Sequence, residues 1–157
     1  QYSVYLFSSV DHGDSWSAPR LLSAPNKAAI MPFVVAGAAG RIAVAWYEST
    51  LGVPNDVLPD AWNVKLYEGI GQQGADGQST VVQLNDFPNH IGSLCTNGLA
   101  CVAGGDRCLL DFFEVALTPE GHPVATWANC SGGTGVGVAA QGTDIYFGGV
   151  ADGTPLW

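Results

Sequence analysis

Apolar and polar residues alternate in short runs along most of the chain, and a period of two is the mark of a strand with one buried face. The clearest run is Trp62-Asn63-Val64-Lys65-Leu66-Tyr67-Glu68. The same reading predicts strands over residues 2–8, 20–22, 30–36, 41–48, 79–84, 109–117, 122–129 and 143–150. Between them stand turn-forming clusters such as Gly37-Ala38-Ala39-Gly40 and Thr118-Pro119-Glu120-Gly121, and longer polar loops over 49–61, 69–77 and 85–107. No segment keeps apolar residues at i, i+3 and i+4 for two turns, so no helix is expected. The fold class is all-β.

One strand–turn–strand unit occurs twice. Phe33-Val34-Val35-Ala36 followed by Gly40 and Trp46 matches Phe113-Glu114-Val115-Ala116 followed by Gly121 and Trp127, with one extra residue in the second turn. Internal repetition of such a unit is how radial β architectures look in sequence. The first two strands flank Ser9-Val10-Asp11-His12-Gly13-Asp14-Ser15-Trp16. In this turn Asp11 can accept bonds from the backbone N–H groups that follow it, and Gly13 takes a backbone angle that other residues resist. Ser9 and Ser15 add hydroxyl bonds, and Trp16 is expected to fold back over the hairpin.

Composition narrows the classes. Hydrophobic residues make up 47% and charged ones 12% of 157 residues, which argues against disorder and for one domain with a core. The 21 Gly and 9 Pro favour short strands joined by tight turns. A net charge of −9 with five Lys plus Arg repels phosphate backbones, so nucleic acid is not an expected partner. No apolar run approaches the roughly 20 residues of a membrane span. No signal peptide is visible, and because the chain opens inside a strand its natural start is expected to lie upstream.

The turn's S-x-D-x-G-x-S-W spelling matches the Asp box of the sialidase-like (BNR-repeat) β-propellers. The resemblance sharpens over Asn97-Gly98-Leu99-Ala100-Cys101, Gly105-Asp106-Arg107 and Leu110-Asp111-Phe112-Phe113-Glu114-Val115. Gly40-Arg41-Ile42-Ala43-Val44-Ala45-Trp46-Tyr47, Pro54-Asn55-Asp56 and Trp62-Asn63-Val64 fit the same group. These segments resemble the C-terminal half of secreted prokaryotic sialidase-like proteins. The resemblance implies a partial β-propeller of about three blades from a six-bladed ring. On that reading residues 1–25 end one blade, 26–86 form a full blade, and 87–157 form a further blade with a long Cys-bearing loop. About three blades cannot close a ring without exposed edges, so the remaining blades, from the same precursor or another chain, are the expected partner. The strand over 2–8 is apolar on both faces and should be covered on both and paired on both edges.

The four cysteines cluster late, with no zinc-like spacing. Antiparallel partners share a constant sum of residue numbers, and the turn end Leu117/Gly121 shares its sum with Cys108/Cys130. That register pairs Cys108 with Cys130 and leaves Cys95 with Cys101; four reduced, buried thiols are the alternative. Disulfides place the chain outside the cell, secreted or at the cell surface.

In a propeller of this kind the loops over 49–61, 85–107 and 130–142 lie on the ligand-bearing end, and the Asp-box turn, Arg20 and Arg41 on the other. Sialidases hold a sugar carboxylate with three arginines and use a Tyr nucleophile activated by Glu, with an Asp as acid/base. Only Arg107 lies on the ligand-bearing end here, and the family's Phe-Arg-Ile-Pro segment is absent. Asp106 is a candidate acid, against the plainer reading of a loop-fixing ion pair with Arg107. Glu114 and Asp111 sit on an inner strand and could face the channel, as catalytic groups or simply as hydrogen-bonded lining. Tyr47 and Glu48 are candidates as nucleophile and base, but a strand points neighbours to opposite faces. His90 reads as a loop residue, and His12 and His122 as turn residues. Asp56 and Asp60 are the candidate ligands of a structural Ca²⁺, although their spacing matches no standard calcium loop; no cofactor is required. Asn129-Cys130-Ser131 has the form of a glycosylation acceptor. The expected functions are an exo-acting glycoside hydrolase for terminal sialic-acid-like sugars of glycans or, from a different class, a non-catalytic propeller that binds glycans or builds a surface assembly.

Overall fold

A computed structural model describes residues 2–50, 61–69, 79–92, 94–95, 109, 113–130, 144–152 and 155–156. The described residues contain ten strands and no helix: β1 (Tyr5–Leu6), β2 (Arg20–Leu21), β3 (Ala29–Ala36), β4 (Ile42–Ser49), β5 (Ala61–Gly69), β6 (Ser79–Gln83), β7 (His90–Ile91), β8 (Phe113–Leu117), β9 (Pro123–Asn129) and β10 (Asp144–Gly149). The chain is all-β. Every pairing is antiparallel and the strands form three sheets in chain order: the ribbon β1-β2, the meander β3-β4-β5-β6 with β7 beside the start of β5, and the meander β8-β9-β10.

β4 is the central strand, because the residues on both its faces are covered. Ala43, Ala45 and Tyr47 face one layer with Val64, Leu66, Phe113 and Trp127. Val44 and Trp46 face the other with Val4, Leu22 and Tyr67. The period of two therefore splits one strand between two cores, and a shift of one residue would exchange them. β3, by contrast, is an edge strand, which is why it tolerates Pro32, a residue without a donor N–H. A bulge between Ile30 and Phe33 shifts the β3–β4 register, with Met31 held at φ 52°.

The first ribbon is shorter than its apolar run suggests. Its regular ladder covers only Tyr5 and Leu6, because hydroxyls replace strand partners at the ends: Ser23 Oγ accepts from Val4 N–H (3.1 Å) and Ser17 Oγ from Ser8 N–H (3.1 Å). Nor is the strand covered on both faces, since Tyr5 and Phe7 stand half-exposed.

The β8–β9 register also differs from the expected one. Leu117 pairs with Pro123, not with Gly121. The turn closes through Thr118 N–H to His122 C=O (2.9 Å), and Gly121 sits inside it at φ 87°. That left-handed glycine lengthens the loop and moves every partner on the described ladder along by two. Cys95 and Cys130 are both disulfide-bonded. Cys101 and Cys108 lie outside the described residues, and the pairing with them.

At the end of the sheets opposite Tyr47, residues 155–156 cross between two turns. Leu156 C=O accepts from Ala38 N–H (2.6 Å), Leu156 N–H donates to Gly121 C=O (2.8 Å), and Arg41 donates to Pro155 C=O. The Leu156 side chain is fully buried in the layer shared by the two meanders. Gly37 permits this crossing: a Cβ there would stand 2.0 Å from Leu156 O.

Candidate functional site

The pairings sort the connections into two ends. Ala29 lies beside Glu48, Ser49 beside Trp62, Ala61 beside Ile91, and Asn129 beside Asp144. The segments at 22–28, 49–61, 84–112 and 130–143 therefore start or finish at one end. The Asp-box turn and the turns after β3 and β8 lie at the other.

Buried polar side chains gather at the first end: Glu48, Asn63, Asn85, Asn89, His90 and Asn129. Burying so many polar groups is costly unless they bond, and most do. Asn85 Oδ1 accepts from Val64 N–H (2.8 Å) while its amide donates to Asn63 Oδ1 (3.0 Å) and to Phe87 C=O. Gln83 donates to Asn85 C=O (2.8 Å) and accepts from Lys65 Nζ (3.0 Å), which carries the network out to solvent. Asn89 donates to Ala128 C=O (2.7 Å), and its backbone carbonyl accepts from Cys130 N–H (2.9 Å), so one asparagine ties the segment after β6 to the second meander. Asn89 Oδ1 is buried and accepts no bond among the described residues.

Tyr47 donates weakly to the same Ala128 carbonyl (3.4 Å). Burial pushes its phenol well above the ordinary tyrosine range, against a weaker downward pull from Ala128 and Asn89. A phenol so placed stays protonated. Glu48 lies on the opposite face of β4, where its Oε2 accepts from Ala24 N–H (2.9 Å) and from Trp46 Nε1 (3.2 Å). Its bonds thus tie the 22–28 segment to the β4 core, and it does not reach Tyr47. Glu114 is exposed on β8. Arg107, Asp106 and Asp111 lie outside the described residues, as do Asp56 and Asp60. Among the described residues no group of three His, Cys, Asp or Glu side chains is placed to hold a metal ion.

His90 is not a loop residue: it lies on β7 beside Trp62 and is 1% exposed. The sequence reading missed it, together with Asn63, Asn85 and Asn89. The available signal was Asn63, a polar residue inside the cleanest alternating run, and the Asn-rich stretch Asn85-Asp86-Phe87-Pro88-Asn89 that returns to it. Asn129 is buried and Cys130 is bonded in a disulfide, so the Asn-Cys-Ser triplet makes a poor glycosylation acceptor.

The other end carries the turn over residues 9–16, whose spelling resembles an Asp box. Asp11 Oδ1 accepts from Ser9 Oγ (2.7 Å) and Ser15 N–H (3.0 Å), Asp11 Oδ2 accepts from Ser15 Oγ (2.5 Å), and Ser9 Oγ accepts from Gly13 N–H (2.8 Å). Hydrogen bonds from Ser15 and Ser9 hold the Asp11 carboxyl down at about 2. His12 and Gly13 take φ 60° and 97°, as the turn requires. Trp16 lies over Gly13 but remains 63% exposed rather than covering the hairpin. Arg20 sits over the Tyr67 ring (5.6 Å) and donates to Ser79 Oγ (3.1 Å), so its role at this end is packing.

At the first end the buried amides of Asn63, Asn85 and Asn89 bond to one another and to the backbone and so fix the bases of the segments that start there, with no acid–nucleophile pair among the described residues. Comparison with protein-family models, with curated proteins and with solved structures finds no match to this chain.

Proposed function

We propose that this chain is part of an extracellular β-propeller of the sialidase type whose loop-bearing end binds the terminal sugars of glycans. The observation that carries the reading is that the strand pairings bring the ends of the 22–28, 49–61, 84–112 and 130–143 segments to one end, where hydrogen-bonded asparagines brace them, opposite the bonded turn over residues 9–16. Support for the propeller comes from antiparallel sheets that follow one another in chain order, with the first strands β3 and β8 packed together. Disulfide-bonded Cys95 and Cys130 suit an oxidising compartment.

Binding without hydrolysis is favoured, because Tyr47 is buried and protonated and Glu48 faces away from it. Arg107 is the residue proposed to meet a sugar carboxylate, as a bidentate donor. The test is titration with sialylated and desialylated oligosaccharides alongside an aryl sialoside turnover assay. The expected result is saturable binding to the sialylated glycan, about tenfold weaker in Arg107→Ala, with no turnover. Failure to prefer the sialylated glycan, or turnover abolished by Tyr47→Phe, would contradict the reading.

A further inference from the structure

At the end opposite Tyr47, each of the two meanders brings one titratable side chain to the seam between them. Glu68 lies on β5 directly beside Ala43, and paired neighbours project to the same face. That face is the layer shared with Val115 and Ala125 of the second meander, and Glu68 is 6% exposed. His122 closes the turn between β8 and β9. Its N–H donates to Thr118 Oγ1 (3.2 Å) and its C=O accepts from Thr118 N–H (2.9 Å). Gly121, one residue before it, accepts from Leu156 N–H (2.8 Å). The imidazole is thus carried on a backbone tied to its own turn and, through Gly121, to the crossing that joins the meanders.

Neither side chain is fully served. Glu68 Oε1 and His122 Nδ1 are both buried, and neither has a hydrogen-bond partner among the described residues. Such atoms are costly to leave unbonded. His122 is the charge that pulls on Glu68, against the burial that raises its carboxyl, so the two face one another across the seam. The other charged groups nearby are engaged or turned outward. Arg41, ahead of β4, donates to Pro155 C=O, while Glu120 on the turn and Asp152 after β10 are exposed. Beside the end of β5, β6 brings Ser79 and Thr80, and the crossing brings Pro155 and Leu156; none of these titrates in the ordinary range. Tyr67 turns to the other face of the sheet.

We infer that Glu68 and His122 form a proton-gated clasp between the two meanders. Without a shared proton the pair stands open, with both facing atoms unbonded. Histidine changes charge between about pH 5 and 8. A ring that takes a proton from solvent is a donor at both nitrogens, and Nδ1–H then bonds the Glu68 carboxylate across the seam. One proton held between the two makes this bond, whichever atom carries it. Closure needs only rotation of side chains, because sheet pairing holds the backbone of Glu68 and the turn holds that of His122. A histidine that gains a partner on folding adds stability that is present at the acidic end of this range and lost as pH rises. The joint between the meanders is therefore tighter in mildly acidic surroundings than at neutral pH. The clasp belongs to the joint and not to the loop-bearing end, so glycan binding has no bearing on it.

The test is a double-mutant cycle on the full chain, with Glu68→Gln, His122→Gln and the pair, by urea unfolding at pH 5.5 and pH 8. The cycle separates the coupling of the two side chains from the desolvation that each pays alone. The expected coupling is about tenfold in the unfolding equilibrium constant at pH 5.5 and less than about twofold at pH 8. Glu120→Gln, exposed on the same turn, should leave both values unchanged. If the double variant fails to fold, His122→Gln alone decides. Its loss of stability relative to wild type should grow by about tenfold between pH 8 and pH 5.5. Coupling below about twofold at pH 5.5, equal coupling at both pH values, or a His122→Gln loss that does not change with pH overturns the inference.

Discussion

Leu156→Ala removes the side chain on which the two meanders converge at the Asp-box end. Leu156 is fully buried in the core cluster that also holds Val115, Ala125 and the Ala43–Ala45 face of β4. The substitution deletes three carbon atoms, and at about 0.8 kcal/mol for each buried group the transfer loss is about 2.4 kcal/mol. The cavity left behind adds to this, which places the expected cost at about 3 kcal/mol, inside the range of about 2–5 for such truncations. Its backbone bonds to Ala38 and Gly121 survive, so the side chain alone is tested. For a chain of this length the melting temperature should fall by about 6–12 °C. The assay is urea unfolding followed by Trp fluorescence, with wild type and variant at equal protomer concentration and the oligomeric state measured by sedimentation. Pro155→Ala, at an exposed neighbour that keeps its carbonyl, should cost less than about 0.5 kcal/mol. Gly37→Ala pushes a Cβ into Leu156 O, displaces the same segment, and should not add to Leu156→Ala in the double variant. A Leu156→Ala cost below about 1 kcal/mol, or full additivity with Gly37→Ala, would refute the crossing as a point of attachment.

Three further predictions concern single groups. Asp11, held near 2 against an ordinary 3.8, contributes stability that is present above about pH 3.8 and lost as pH falls toward 2; Asp11→Asn should flatten that part of the acid-unfolding profile, and an unchanged profile would count against the bonded turn. Glu68 behaves in the opposite sense: burial raises its carboxyl, His122 only partly opposes this, and its Oε1 is buried without a partner among the described residues. Glu68→Gln should therefore raise the melting temperature at pH 7 and lose that advantage as pH falls through the ordinary glutamate range, whereas a lower melting temperature at pH 7 would show the carboxylate to be well served in the fold. Tyr47→Phe gives up one long hydrogen bond and should change stability by no more than about 1 kcal/mol and leave sialoside binding untouched; a larger loss of either would give the hydroxyl a role beyond packing.

How far the sequence could be read followed the length of each alternating run. β4 and β5 were legible because eight and nine residues of regular pairing leave few alternative registers. β7 was not: two residues inside a polar loop have no period, and His90 and Ile91 are a strand only because the start of β5 stands beside them. The β8–β9 register shifted by two on a local matter, the left-handed Gly121 that lengthens the turn. Tyr5 and Phe7 misled in another way, since an apolar pattern states what a strand can bury and not what covers it. The candidate site was the hardest part to read. Alternation separates Tyr47 from Glu48, but Asn63, Asn85 and Asn89 meet only through tertiary contacts between β5, the segment after β6 and the end of β9. Asparagine carries no charge or spacing that would mark it in advance.

The central proposal is that the three sheets are successive blades around an axis, with β3 and β8 innermost. Electron cryomicroscopy of the protein in its native assembly tests this most directly. The account predicts a ring in which the β3 and β8 edges line a central channel, with the 22–28 and 84–112 segments at one mouth and the Asp-box turn at the other. A two-layer sandwich, or a continuous sheet in which β3 pairs edge to edge with β8, would contradict it.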